Sequence, residues 1–462
     1  MNLKKYIGNR AFYKSLLAVA IPIIIQNSIT NLISLLDNVM VGQIGTEQMS
    51  GVSIVNQLLF VFNLCIFGAL SGAGLFGAQF FGNKEYENLR HTFRYKLVIS
   101  AIIFTGAITL FLVAGEPLVS LYLHEGSETG DLALTLYYAK KYLAISLFGL
   151  FPFTVTQIYA SSLREVKHTV PPMVAGIVGV CVNLSLNYVL IFGKLGAPAM
   201  GVEGAALATV ISRFVECICV IVWTHTHTNK CPFIVGAYRS LRIPRKLVRS
   251  ITITGMPLLF NETLWAAGQA MLLQCYSLRG IATVSAMNIS GIAFNTFSVL
   301  YFSMGTTISI LVGHRLGEGD LETAASDAKK MIAFSTLLGF ISGALIAICS
   351  LFLPDLYNTT EEVRTLAVSF ILTVAVSAPI QAILNASYFT LRSGGKTLLT
   401  FLFDSAYVWC FTIPLSWCVI RFTNLPVEWV YFMCYNSDIV RCVIGIVLVK
   451  RGIWLNDLTK KH

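Results

Sequence analysis

Charge is what this sequence has least of. Only 12% of its 462 residues are Asp, Glu, Lys or Arg, about half the roughly 25% of a soluble domain. That shortfall excludes an ordinary water-soluble fold. CxxC pairs are absent, and the 11 cysteines stand mostly alone inside apolar runs, as at Cys65, Cys181, Cys275, Cys349 and Cys410. These residues read as small buried hydrophobes with free thiols rather than as a disulfide framework or a thiolate metal centre. No HExxH, GxSxG or Walker loop occurs, nor a GxGxxG in a strand context. Those absences remove the motif-bearing hydrolases and ATP-driven machines. The expectation is a protein that is not an enzyme, has no organic cofactor and draws energy from a gradient of Na⁺ or H⁺.

What is present is apolar sequence: 55% of residues are hydrophobic and the mean hydropathy is +0.71. Twelve segments long enough to span a bilayer occur at about 14–41, 50–80, 94–115, 138–160, 169–193, 202–224, 250–278, 284–312, 330–353, 363–388, 397–420 and 427–449, each near or above the length of about 20 residues that a span needs. The basic residues then set the topology. Twenty-five lie in the odd-side connections, among them Lys4, Lys5, Arg94, Lys96, Arg164 and Arg392, against six on the other side. The basic side is cytoplasmic by the positive-inside rule, so both termini are inside, in the cell (inner) membrane. This placement accounts for the net charge of +10 without nucleic acid. The basic flank MNLKKYIGNRAFYK and the long run after it do not read as a cleaved signal peptide.

The longest polar connection, 225–249, reads as a cytoplasmic linker with room for an interfacial helix. His225 and His227 within it have no further metal ligands nearby and read as solvated loop residues. Residues 1–224 and 250–462 form the two halves, and they repeat. At an offset of 235, Pro22 falls on Pro257, Gly45 on Gly280, Ser50 on Ser285, Gly82 on Gly317 and Leu121-Tyr122 on Leu356-Tyr357. The offset then becomes 228, with Arg164 on Arg392, Thr169 on Thr397, Pro198 on Pro426 and Arg213 on Arg441. Each half holds an even number of segments, so both enter the membrane from the same side. The expected fold is an all-α integral membrane protein of two six-helix lobes, related by a pseudo-twofold axis along the membrane normal. The substrate path of such repeats lies between the lobes. A monomer contacting membrane lipids and a small organic substrate is expected.

Ionisable residues inside the spans are costly and draw attention. Asp37 is either a carboxylate reached by water near the outer helix end or a coupling-ion site, holding Na⁺ through oxygen or taking a proton. Pro22 and Pro257 each break a backbone hydrogen bond and invite a kink. Asn183 and Asn187 share one face of segment 5, either as glue between helices or as site residues. Glu262 follows Asn261 in mid-segment, as a structural partner in a polar cluster or as a second site. Arg213 with Glu216, and Asp438 with Arg441, stand at i, i+3 and read as neutralising pairs with a structural or gating role. Asp404 is a partner for Arg392 or Lys396 at an inner gate, or a solvated helix-start acid.

Several motifs together resemble the MATE family of multidrug and toxin extruders. They are LLDNVMVGQIG (35–45), SSLREVKHT (161–169), NLSLNYVLIFG (183–193), GVEGAALATVISRFVE (201–216), FNETLWAAG (260–268) and TLRSGGKT (390–397). The resemblance implies a twelve-helix antiporter that exports organic, often cationic, compounds against Na⁺ or H⁺ by alternating access. It implies a functional acid at Asp37, with Asn183, Asn187 and Thr209 as its polar neighbours, where one branch has Asp in place of Asn187. It also implies a second-lobe acid at Glu262, while Gln381 stands where another branch has Asp. Two rivals remain: a lipid-linked precursor flippase of related architecture, and a passive channel or non-transporting scaffold.

Overall fold

The computed structural model describes residues 6–121, 131–357 and 359–461; Lys4, Lys5 and Tyr122 lie outside them. Among the described residues the chain is helical, with no strand. The membrane helices are α1 (Arg10–Gly42), α2 (Thr46–Gly82), α3 (Tyr86–Ser120), α4 (Leu132–Glu165), α5 (Val170–Phe192) and α6 (Gly201–Thr226). The second half follows with α7 (Arg245–Ser277), α8 (Ile281–Phe297 and Val299–Gly317), α9 (Leu321–Cys349), α10 (Glu361–Ser393), α11 (Thr397–Phe422) and α12 (Val427–Lys450). This is the all-α, twelve-helix architecture that the sequence predicts. Helix α7 is as long as the others, at 33 residues, but Asn261 and Glu262 make its centre too polar to qualify as a span by composition.

Several helices depart from a straight rod. The two parts of α8 meet at Ser298 with a bend of 47°. Helix α12 breaks at Ser437. Helix α11 contains two wide π turns, Leu402–Ala406 and Val408–Thr412. Helix α4 tightens at Leu147–Gly149 into a 3₁₀ turn. Helices also run past their apolar windows. Arg94, Lys96, Arg164 and Arg392, read from sequence as loop residues, therefore sit inside α3, α4 and α10. Lys96 has no exposed surface, and Arg94 and Arg392 are buried.

The 225–249 connection is not a solvated strap, and no long helix lies in it. His225 is in the last turn of α6, 3.1 Å from the Tyr159 hydroxyl, and the His227 ring stacks on Trp223 at 4.6 Å. Between α6 and α7 the only helix is the single turn Ala237–Arg239. Cys231, Phe233, Ile234 and Ala237 are buried. The Phe233 ring meets Phe93 of α3 at 5.3 Å. Arg94 Nε and Nη2 donate to the carbonyls of Ala237 (2.8 Å) and Gly236 (2.9 Å). A guanidinium presents five donors in a fixed fork, so it can hold a loop by its backbone as well as it holds a carboxylate.

By internal contacts the chain divides into two compact units. One comprises Ile25–Gly74 and Tyr86–Val248, linker included. The other comprises the residues before Ile25, Leu75–Glu85 and everything from Arg249. The boundary thus cuts α1 after Ile24, within a turn of Pro22.

In the first unit a buried ion pair joins α3 to α4. Lys96 Nζ meets Glu165 and donates to the hydroxyls of Ser161 (3.1 Å) and Ser162 (3.0 Å). The donors of the ammonium are thereby used, as a charge taken out of water requires. Helices α5 and α6 form a close hairpin. Gly193, at φ +65°, ends α5, and a Cβ at Gly204 would lie 2.7 Å from the Leu190 carbonyl.

In the second unit Leu16 and Ala20 of α1 pack with Met304, Ile308 and Val312 of α8 and Met331 of α9. A further apolar cluster gathers Phe370, Ile371 and Tyr431. The end of α2 crosses α8 by a reciprocal contact. A Cβ at Gly82 would lie 2.3 Å from the His314 carbonyl, and one at Gly317 would lie 2.0 Å from the Gln79 carbonyl. Both residue pairs are related by the same offset of 235, so the crossing reads alike from either half. Gln79 is fully buried. Its amide donates to the Ser393 carbonyl at 2.9 Å and its oxygen accepts from the Leu458 N–H at 2.7 Å. Trp454, 1% exposed, seals the segment after α12 against this end.

Candidate functional site

Asp37 is half-buried near the end of α1. Asn187 Nδ2 donates to Asp37 Oδ1 at 2.6 Å and to Asn183 Oδ1 at 3.1 Å. Asn183 Nδ2 in turn donates to Thr209 Oγ1 at 3.3 Å, and Thr209 donates to its own helix at Ala205 (3.0 Å). The four side chains thus form one hydrogen-bonded file across α1, α5 and α6. Local sequence explains it. One helical turn separates the two asparagines, and Gly204 brings α6 close enough for Thr209 to reach. Asn187 is 1% exposed, and its Oδ1 is buried with no hydrogen-bond partner among the described residues. An orphaned acceptor of that kind costs free energy unless something fills it. A hard cation with oxygen ligands fits this donor set: one carboxylate, amide oxygens and a hydroxyl. Among the described residues no group of three His, Cys, Asp or Glu could hold a metal.

Arg213 and Glu216 do not form the ion pair that their spacing suggests. The Arg213 guanidinium turns toward the 3₁₀ turn of α4, with Nη1 3.4 Å from the Gly149 carbonyl and its carbon 5.2 Å from the Phe153 ring centre. A Cβ at Gly149 would lie 3.3 Å from Arg213 Cδ, so glycine makes the seat. Glu216 turns instead toward α5, where a Cβ at Gly179 would touch its own Cβ at 3.3 Å. Gln26 approaches the same face at Gly176 and accepts from Arg164 Nη2 at 2.9 Å.

The second unit holds a separate network. Asn261 Nδ2 donates to Asp404 Oδ2 at 2.9 Å and to the Tyr388 hydroxyl at 3.2 Å. Arg441 bridges two acids. Its Nη2 meets Asp404, and its Nη1 donates to Asp438 at 2.9 Å. Gln381 Nε2 donates to Asp438 Oδ2 at 2.7 Å. Glu262 stands 3.7 Å from Arg392. The Asp438–Arg441 pair therefore forms as the sequence suggests. Asp404 does not pair with Arg392 or Lys396: the wide turn Leu402–Ala406 brings it to α12, and Arg392 goes to Glu262. Ser405 Oγ, in the same turn, donates to Asn261 Oδ1 at 2.7 Å. Three carboxylates here face two guanidinium groups.

Sequence reading missed Arg164 and Tyr388 as members of these networks, gave Arg392 to Asp404 where the structure gives it to Glu262, and did not single out Lys96 for its buried pair. A signal existed for two of them, since Arg164 and Arg392 are repeat mates. Nothing in the sequence marked Lys96.

The MatE family profile matches residues 22–189 and 257–418. The two matches begin at Pro22 and Pro257, so the profile finds the repeat twice. The probable multidrug resistance protein NorM of Bacillus subtilis is 26% identical over 447 residues, covering 92% of each chain. Among solved structures, a MOP superfamily transporter from Pyrococcus furiosus superposes with a TM-score of 0.84 at 18% identity, covering 98% of each chain. A MATE transporter of Vibrio cholerae gives 0.85 at 16% identity, covering 96% of this chain and 97% of its own.

Proposed function

The chain belongs to the MatE family, and from that membership and the file of side chains ending at Asp37 we propose that it is a cation-coupled multidrug efflux antiporter. It exports small organic compounds, cationic or amphipathic, from the cytoplasm in exchange for Na⁺ or H⁺. The relatives' names, multidrug resistance proteins, support export of small compounds. The unbonded Asn187 oxygen beside the Asp37 carboxylate carries the coupling reading, because a buried acceptor and a carboxylate together attract a cation.

In this reading Asp37 supplies the charge that the ion neutralises. Asn187 orients that carboxylate, and Asn183 with Thr209 holds Asn187 in the donating pose. Ion and substrate exclude one another through alternating access, with α1 adjusting about Pro22. By linkage the bound substrate weakens ion binding by the same factor. Dye efflux from vesicles with sodium and proton gradients imposed separately tests the proposal. Asp37→Asn is expected to abolish gradient-driven efflux while the protein stays folded; full efflux by that variant removes Asp37 from the mechanism.

A further inference from the structure

Between Glu216 and Glu262 the sequence contains no acidic residue, yet it carries Lys230, Arg239, Arg242, Arg245, Lys246 and Arg249. All six are exposed. Beside them the outer face of α3 carries an apolar groove of about 660 Å³, lined by Leu97, Val98, Ala101, Ile102 and Thr105, and by Leu241 of the linker. Helix α3 is the least buried of the candidate spans, so this face meets lipid. Arg94 Nη1 lies 3.4 Å from the Arg242 carbonyl, which fixes Leu241 over the end of the groove nearest the linker. Leu241 is 61% exposed: an apolar side chain between two free guanidinium groups, laid at the mouth of an apolar channel.

We propose that this is a binding site for an anionic phospholipid. One acyl chain lies along α3 from Leu97 toward Gly106, and the phosphate meets Arg239 and Arg242. The dimensions fit. Nine residues of helix rise about 13.5 Å, close to one leaflet of a hydrocarbon core of about 30 Å. The charge fits as well. Guanidinium groups take phosphate bidentately, and the acid-free stretch offers no carboxylate to a zwitterionic headgroup's ammonium. A soluble anion has no use for the groove or for Leu241. The proposal rests on the reading of the basic loops as one membrane face. The bound lipid would pin the linker to α3, and so steady the segment that leads into α7.

The test uses the full chain in nanodiscs, with Leu241→Trp as reporter and the parent protein as background. Phosphatidylglycerol or phosphatidylcholine with brominated acyl chains is added at equal mole fraction. Two arginines on one phosphate should give brominated phosphatidylglycerol a preference of about tenfold in quenching. The preference should fall as salt is raised. Adding Arg239→Gln and Arg242→Gln should bring quenching to the phosphatidylcholine level, with thermal unfolding unchanged. Equal quenching by the two lipids, or a preference that salt or the double substitution leaves intact, overturns the proposal. So does loss of the preference on adding inorganic phosphate, which would make this a site for soluble anions. The salt series needs no arginine variant, so misfolding of the double variant does not rescue the idea. Dye efflux failure in vesicles leaves these readouts untouched.

Discussion

Asn187 gives both hydrogens of its amide away, one to Asp37 at 2.6 Å and one to Asn183 at 3.1 Å, while its own oxygen stays buried and unbonded. Replacing it by Leu keeps the volume and removes both the donor and the free oxygen. Losing the buried oxygen should lower the apparent affinity for Na⁺ by about tenfold or more, whereas losing a donor to the ionised carboxylate should strengthen proton binding. Efflux rate measured against external Na⁺ and against external pH checks this. An unchanged half-saturation in both series would assign Asn187 a packing role only.

The Lys96–Glu165 pair makes an opposite forecast for single and double variants. Lys96→Met strands a buried carboxylate and should cost about 3–5 kcal/mol. Lys96→Met with Glu165→Leu removes both charges and should recover most of that loss. Thermal unfolding in detergent distinguishes them; a double variant no better than the single would mean the pair is not isolated from other charges.

The crossing of α2 and α8 tolerates no side chain. Gly82→Val and Gly317→Val each place atoms on a carbonyl, and overpacking of this sort costs about 1–3 kcal/mol. Because the two substitutions strain one contact, the double variant should lose less than the sum. Strict additivity in melting experiments would contradict a shared crossing.

Trp454 fills a space that no smaller residue occupies. Trp454→Ala should destabilise by about 3–5 kcal/mol, and protease should then cut the segment after Lys450 faster than in the parent. Equal cleavage rates would show that the segment is held by its polar contacts, through Gln79, Asn83 and Asn456, without Trp454.

The scaffold was legible because its signals are repetitive: apolar runs, sign-biased loops and a constant offset between glycines and prolines. The candidate residues on single helices were legible too, since Asp37, Glu262 and Asp438 are expensive wherever they sit. Partner choice was not. Arg213 and Glu216 have the spacing of an ion pair, yet the glycines at 149 and 179 offer each a separate seat. Asp404 reaches Arg441 through a wide helical turn that no propensity encodes. Arg164 and Arg392 looked like loop charges because a hydropathy window ends where apolar residues end, while the helix continues for as long as its polar residues find partners; Lys96, two residues into the third segment, was counted with the preceding connection on its charge alone.

Gln79 sets an order of assembly. Its side-chain oxygen waits for the N–H of Leu458, which the ribosome adds 379 residues later. An early helix therefore enters the membrane with a polar group that cannot be satisfied in its native way until the segment after α12 has been made. Domains generally form in the order of synthesis, but this helix end is an exception, finished among the last parts of the chain. A chain stopped before Leu458 would carry its defect not at its own terminus but in its second helix.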